Sequence, residues 1–320
     1  MASRHFAILL PVLDDWTSFE FVLAEINSVF GSNSDTASVF CVNDGSTTAR
    51  PKTIGVASAI SNLRSLEIIN LVCNLGHQRA LAIGLAEIAR RDEFTAVIVL
   101  DADGEDDPNH LDRIIAAHTD SPEKVIFARR SQRSEGLVFR MFYVVYKLCF
   151  QILTGFRISF GNFCLIPMES ARRLVFKANL WNSLPATILQ SKLPYTTVDS
   201  HRRPRICGQS KMGFVGLLLH GFHAISVFSE PVIVRLVLLI ISTSSFLVLG
   251  IVAIRYTTDI LVPGWTSSMI AILVVISLQA LFLIMNTTLV VLQNRCLKQM
   301  IPAVEFKPFI RDIVTFGPSS

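Results

Sequence analysis

Two stretches near the carboxyl terminus restrict the fold of this 320-residue chain more than anything else in it: PVIVRLVLLIISTSSFLVLGIVAI (Pro231 to Ile254) and TSSMIAILVVISLQALFLIMNTTLVVLQ (Thr266 to Gln293). Each reaches the ~20 residues that an α-helix needs to cross a bilayer core. Each is also apolar around its whole circumference, unlike a helix that packs one face on a soluble core. They predict a two-helix transmembrane hairpin over residues 231–293, with Arg235 near one end able to snorkel toward headgroups. The 51% share of hydrophobic residues fits a chain that sits partly in lipid.

Basic residues orient the hairpin. His201, Arg202, Arg203, Arg205 and Lys211 precede it, and Arg295, Lys298, Lys307 and Arg311 follow it, whereas the connector holds only Arg255 and Asp259. The positive-inside bias predicts an integral membrane protein with two spans, both termini and the large amino-terminal region being cytoplasmic. The opening MASRHFAILLPVLDD runs from a short apolar stretch straight into acidic residues, without the cleavage site of a signal peptide. The net charge is only +4, with the basic residues gathered beside the spans. That pattern suits anionic headgroups or a phosphorylated substrate and argues against nucleic acid. The six cysteines are scattered without metal-ligand spacing and read as reduced or buried thiols.

Ahead of the hairpin, strand and helix patterns alternate. HFAILLPV (His5 to Val12), TASVFCV (Thr36 to Val42), LEIINLVC (Leu66 to Cys73) and TAVIVLD (Thr95 to Asp101) read as buried strands. Helical spacing runs through WTSFEFVLAEINSVF, through a polar stretch after Ser46, and from His77 to Arg91. Such alternation predicts an α/β domain with a mostly parallel sheet, whose ligands bind beyond the carboxyl ends of the strands. Three polar clusters fall at those ends: Pro11 to Asp15, Asn43 to Ser46, and Asp101 to Asp107.

The last cluster, DADGEDD, puts five acidic residues in seven positions. On an extended backbone Asp101 and Asp103 project to one face, and two close carboxylates call for a hard dication, Mg²⁺ or Mn²⁺, of the kind that bridges a diphosphate. Glu105 can add a third oxygen ligand. The plainer alternative is a solvated acidic loop whose Asp106 or Asp107 caps a helix. Asn43 to Thr47 reads either as a turn or as a site where Asp44 accepts hydrogen bonds from a base or ribose while Gly45 admits the backbone. In NLGHQRALAIGL (Asn74 to Leu85), Asn74 and His77 sit at a helix start that favours an anion, and Ala80 with Gly84 signals close helix packing. Arg129, Arg130 and Arg133, and RRPRICGQSK (Arg202 to Lys211), read as phosphate contacts or as a solvated or headgroup-facing surface. FRMFYVVYKLCFQILTGF (Phe139 to Phe156) and GFVGLLLHGFHAISVF (Gly213 to Phe228) read as interfacial amphipathic helices, the first alternatively as a core helix.

Taken in order, these motifs resemble the family 2 glycosyltransferases that act on polyprenyl phosphates, a group that includes dolichyl-phosphate mannosyltransferase and bacterial bactoprenol glucosyltransferases. The likeness rests on Pro11 to Asp15, VNDGST, NLGHQRALAIGL, DADGEDDP, Arg130 and Arg133, GNFCLI (Gly161 to Ile166), RICGQSK and the two spans. It implies a glycosyltransferase A-type, Rossmann-like catalytic domain over residues 1–212, a juxtamembrane amphipathic helix over 213–230, the hairpin over 231–293 and a cytoplasmic tail over 294–320, in a bacterial inner membrane. It implies inverting, metal-dependent transfer of a sugar from a nucleotide-sugar to a polyprenyl phosphate. Pro11, Leu13, Asp15, Asp44, Asn74, His77, Asp101 and Ser210 would bind the nucleotide-sugar. Asp101, Asp103 and Glu105 would hold Mg²⁺ or Mn²⁺. Asp103, Arg130, Arg133, Arg205 and Lys211 would serve the reaction at the diphosphate and acceptor phosphate. The chain departs from the family pattern at Leu13 for a Tyr, Asn43 for an Asp, Glu105 for a Gln, and Asn162 for an Asp before Phe.

A lipid phosphate is mostly ionised at neutral pH and needs no base to attack. Transfer to a neutral membrane lipid, which does need one, stays open as an alternative, as do an inactive nucleotide-sugar-binding adaptor and assembly as a homo-oligomer. A processive synthase is disfavoured because Trp16, Trp181 and Trp265 each lack a preceding Arg.

Overall fold

In the computed structural model the described residues are 3–31, 34–52, 60–130, 137–157, 160–201, 203–207, 214–257, 264–296 and 299–317. They fall into two compact units, one of Met1–Phe142, Ile158–Val227 and Met300–Ser320, the other of Tyr143–Arg157 and Phe228–Gln299.

The first unit is built on a sheet. Strand β1 (His5–Val12) is followed by helix α1 (Trp16–Gly31), β2 (Thr36–Asn43), β3 (Ser65–Leu71), α2 (His77–Ala89) and β4 (Ala96–Val99). After these come α3 (Leu111–Asp120), β5 (Val125–Arg130), α4 (Leu137–Thr154), β6 (Phe160–Pro167), α5 (Met168–Leu174), α6 (Leu184–Gln190) and β7 (Tyr195–Ser200). Helices α7 (Phe214–Ser226), α8 (Ser229–Thr257), α9 (Trp265–Cys296) and α10 (Pro302–Glu305) precede the last strand, β8 (Ile310–Phe316). Among the described residues the sheet runs β7-β5-β6-β4-β1-β2-β3-β8. Its centre is parallel, as β4, β1, β2 and β3 run together. Every residue of β1 is buried, because helices cover both faces of a central parallel strand.

The four strands and two of the three helices predicted ahead of Asp101 are present within a few residues of their expected limits. The polar helical stretch expected after Ser46 falls largely outside the described residues. One close approach is fixed by a missing side chain: a Cβ on Gly84 of α2 would collide with Leu9 of β1 and Val42 of β2. The Ala80 and Gly84 pair therefore lets α2 lie tight on the sheet.

Two features were not legible. Strand β6 is antiparallel and separates β4 from β5. The segment expected as a tail over 294–320 returns to the first unit, where β8 pairs antiparallel with β3 and its Asp312 accepts from Asn70 at 2.5 Å.

In the second unit, α8 and α9 are long and apolar enough to cross a membrane, and none of the residues in their apolar windows is buried. Ser244 and Ser277 hydrogen bond between them at 2.8 Å. Arg235 donates to the carbonyl of Leu153 at 3.0 Å, at the carboxyl end of α4, where a cation is favoured by the unpaired carbonyls. Residues Val144, Val145, Leu148 and Ile152 of α4 are more than half exposed while Phe150 is buried, the pattern of an amphipathic helix.

Candidate active site at the strand ends

The register of the sheet assembles the polar clusters. Val12 lies opposite Asn43, and Leu9 opposite Val99, so the carboxyl ends of β1, β2 and β4 open on one edge. Strand β6 extends past the end of β4. Val99 pairs with Cys164, and continuing that antiparallel register by two residues sets Asn162 across from Asp101.

Asp14 joins the first two clusters. It has φ 53°, a left-handed conformation that Asp tolerates better than most residues. Its carboxylate accepts from the amides of Thr47 and Thr48 at 2.7 and 2.8 Å and from both threonine hydroxyls, while its own amide donates to Ser46 Oγ. The Thr48 amide is the main reason that the Asp14 carboxyl titrates below its ordinary range. This residue drew no separate role from the sequence, since only the left-handed turn brings it over the next loop.

Asp44 points elsewhere than expected. Only 3% exposed, it accepts from the amides of Leu75 and Gly76 at 2.8 and 3.0 Å. Burial raises its pKa, and those two amides oppose the shift. The anion at the start of α2 is thus Asp44's own carboxylate, which clips the β2 and β3 loops together. Gly45, at φ 69°, sits where a Cβ would strike the backbone of Cys73 and Asn74. Asn74 also accepts from Gly76 at 3.0 Å, and Asn43 bridges Asn70 and Ser46.

The acidic cluster departs from the extended geometry expected of it. Strand β4 stops at Val99 and the chain turns at Ala102 and Asp103, with Gly104 at φ 79° and Asp103 Oδ1 accepting from the Glu105 amide at 3.0 Å. Asp106 is buried and accepts from the Asp101 amide, and Asp107 caps the 3-10 turn of Pro108–His110. The cap reading and the carboxylate-site reading therefore fall on different residues of one loop.

Across this loop lies residues 203–207. The amides of Arg203 and Ile206 donate to the carbonyls of Glu105 and Asp103, and Ile206 fills the space that a Cβ on Gly104 would need. Arg203 pairs with Glu25 through both terminal nitrogens at 2.8 and 2.7 Å, which raises its pKa. Arg205 pairs with Asp15 at 2.5 Å and stands 3.8 Å from Asp103. A guanidinium thus sits between Asp15 and Asp103, beside one of the carboxylates that the sequence suggested as dication ligands. Among the described residues, Asp101, Asp103 and Glu105 do not converge as a ready three-ligand set. They are nonetheless hard oxygen donors, and Asp101 Oδ1 is out of solvent with no hydrogen-bond partner. As hard oxygen donors these residues fit a dication.

Asp101 faces His77, whose Nε2 is 3.4 Å from Asp101 Oδ1 and 2.8 Å from Asn162 Nδ2. Pro11 is a buried strand residue opposite Val42, and Leu13, two residues on, is half-buried. Arg130 ends β5 opposite Ser200, away from β4 by one strand. Arg133, Ser210 and Lys211 lie outside the described residues.

Comparison with known proteins fits this arrangement. Residues 9–178 match the family described as Glycosyl transferase family 2. The chain is 28% identical over 284 residues to the uncharacterized glycosyltransferase sll0501 of Synechocystis sp., covering 83% of this chain and 84% of that one. It is 25% identical to the uncharacterized glycosyltransferase YkcC of Bacillus subtilis, over 83% and 82% of the two chains. Among solved structures, glucosyl-3-phosphoglycerate synthase from Mycobacterium tuberculosis, in complex with Mn²⁺, UDP-glucose and phosphoglyceric acid, superposes with a TM-score of 0.51 at 15% identity, over 72% of this chain and 80% of that one. Mannosyl-3-phosphoglycerate synthase from Rubrobacter xylanophilus gives 0.50 at 15% identity, over 70% and 72%. The fold expected from sequence, a glycosyltransferase A-type domain followed by two candidate membrane helices, is the fold found.

Proposed function

The chain belongs to glycosyl transferase family 2, and from that premise we propose that it transfers a sugar from a nucleotide-sugar to a membrane polyprenyl phosphate, with inversion and with a dication. In this reading the lipid phosphate oxygen attacks the anomeric carbon. The bond from that carbon to the diphosphate breaks, and the nucleoside diphosphate departs with the electron pair. Asp101 and Asp103 would hold Mg²⁺ or Mn²⁺, with Glu105 beside them. An ion held there would supply charge to offset that of the leaving diphosphate, and the protein's part is positioning and charge. That the Mycobacterium tuberculosis synthase was solved with Mn²⁺ and UDP-glucose supports the same pairing here.

One observation carries the choice of acceptor. Asn162 stands across from Asp101 where the resembled family has an Asp, and both ends of its amide are engaged, by Gln78 at 3.0 Å and His77 at 2.8 Å. It can take no proton from an acceptor. An acceptor that is already ionised needs no base, and a phosphate monoester with its second pKa of about 6 is one. The two apolar helices in the same chain support a lipid as the bearer of that phosphate.

The test is to incubate the detergent-purified protein with Mn²⁺, undecaprenyl phosphate and a panel of radiolabelled nucleotide-sugars, and to follow label into the organic phase. One donor is expected to give an acid-labile lipid product that disappears with Asp103→Ala. Retention of metal-dependent turnover by Asp103→Ala would sink the assignment.

A further inference from the structure

A chain of hydrogen bonds behind Asp101 has a direction that can be read without ambiguity. It starts at a backbone amide, which can only donate: Leu184 N–H to Gln78 Oε1, 2.8 Å. The other end of the Gln78 amide is therefore its NH₂, and that group donates to Asn162 Oδ1 at 3.0 Å. By the same step Asn162 Nδ2 is the donor to His77 Nε2, 2.8 Å away. Neither amide can be flipped without setting two donors or two acceptors against each other. His77 Nε2 must accept, so the ring proton sits on Nδ1.

This orientation decides a conflict at His77. Its Nε2 also lies 3.4 Å from Asp101 Oδ1, a spacing that suggests an ion pair. A nitrogen that already accepts from Asn162 has no proton to give Asp101. The carboxylate oxygen is accordingly left buried and without a hydrogen-bond donor among the described residues. A buried carboxylate oxygen without a donor is costly, and such groups persist where a ligand completes them.

We propose that Gln78 and Asn162 are positioning residues that hold His77 as an acceptor at Nε2, and so reserve Asp101 Oδ1 for the incoming donor or its dication. The second half of this statement rests on the reading of the strand edge as a donor site; the tautomer does not. The departure from the family pattern gains a meaning here. With Asp at position 162 the same place would hold two acceptor oxygens, and His77 would have to turn its proton to Nε2, within reach of Asp101. Glutamine 78 is buried, with its amide spent on these two bonds, so its part in the site is to set polarity and not to touch a ligand.

The experiment is ¹⁵N and ¹³C solid-state NMR of the full-length protein in lipid vesicles, labelled in histidine, at about pH 8, above the ordinary histidine pKa of about 6.5. The His77 signals are identified by their loss in His77→Gln. In the wild type the proton is expected on Nδ1. In Asn162→Asp, and independently in Gln78→Glu, where the Glu oxygens accept from both Leu184 and Asn162 and turn the Asn162 amide around, it is expected on Nε2. Gln78→Glu should also raise the donor KM in donor hydrolysis by about tenfold, with a smaller change in kcat, because a histidine N–H then lies within reach of Asp101 Oδ1. A wild-type proton on Nε2, or variants that both keep the wild-type tautomer, would overturn the proposal. An unchanged donor KM alongside a moved proton would overturn its second half. If wild-type protein turned over no donor while all tautomers behaved as stated, the donor-site reading would fall and the hydrogen-bond relay would stand.

Discussion

At the scale of single residues, the carboxylates divide into those that face outward and those that hold loops. Asp14 belongs to the second kind: its bonds to Thr47 and Thr48 fix the loop after β2 against the end of β1. Asp14→Ala should lower stability by about 1–3 kcal/mol, the range for leaving several such bonds unmade, and should raise the donor KM by loosening that loop. Asp14→Gly should lose donor affinity equally but regain about 1 kcal/mol, since glycine accepts the left-handed backbone at this position without a Cβ. Thermal melts in detergent beside KM measurements check both; an Asp14→Gly melt no better than that of Asp14→Ala would contradict the role given to φ. The sequence made the acidic residues conspicuous and said little about their division of labour. DADGEDD and Asn-Asp-Gly-Ser stand out by composition, yet Asp44's turn toward the Leu75 and Gly76 amides depends on contacts 31 and 32 residues away. The relay through Gln78 and Asn162 joins residues 84 positions apart and carries no local pattern at all.

At the scale of elements, the parallel core was legible because burial on both faces writes itself as continuous apolar runs, β1 being the clearest. Strands β6 and β8 were not, because antiparallel return across the sheet is decided by tertiary pairing and leaves no distinct periodicity in GNFCLI or IRDIVTF. The same packed elements set the response to acid. His118 of α3 is buried with its ring edge-on to Phe6 of β1, and burial is the first cause that holds its pKa below 6.5. His5, bonded to Ser38 at 3.0 Å, is held down by burial as well. With folded pKa values depressed, the unfolded chain binds more protons below about pH 6.5, so the stability these groups contribute is present above that pH and lost as pH falls through the folded values. His118→Phe keeps the aromatic packing and removes one titration. Its melting temperature should fall less steeply than the wild type's as pH drops below about 6.5. Parallel pH profiles for the two proteins would count against this reading of α3.

At the scale of the whole molecule, one chain joins a family 2 glycosyltransferase fold to two helices of membrane-spanning length. The hairpin was the most legible feature of all, since length and unbroken apolarity suffice to recognise it. The carboxyl-terminal residues after it were less so. They come back to extend the sheet through β8, which makes the catalytic unit discontinuous in sequence. Both facts bear on the acceptor. A soluble phosphorylated acid, such as the phosphoglyceric acid bound by the Mycobacterium tuberculosis synthase, would give the hairpin no part in the reaction. A neutral lipid would need a base that Asn162 cannot supply. The most direct measurement is therefore a competition in one vessel: purified protein, Mn²⁺, the labelled donor it accepts, and equal amounts of undecaprenyl phosphate, diacylglycerol and 3-phosphoglycerate. Label is expected in the polyprenyl phosphate alone, as an acid-labile lipid. Label in diacylglycerol or in phosphoglycerate, with the polyprenyl phosphate unlabelled, would contradict the account.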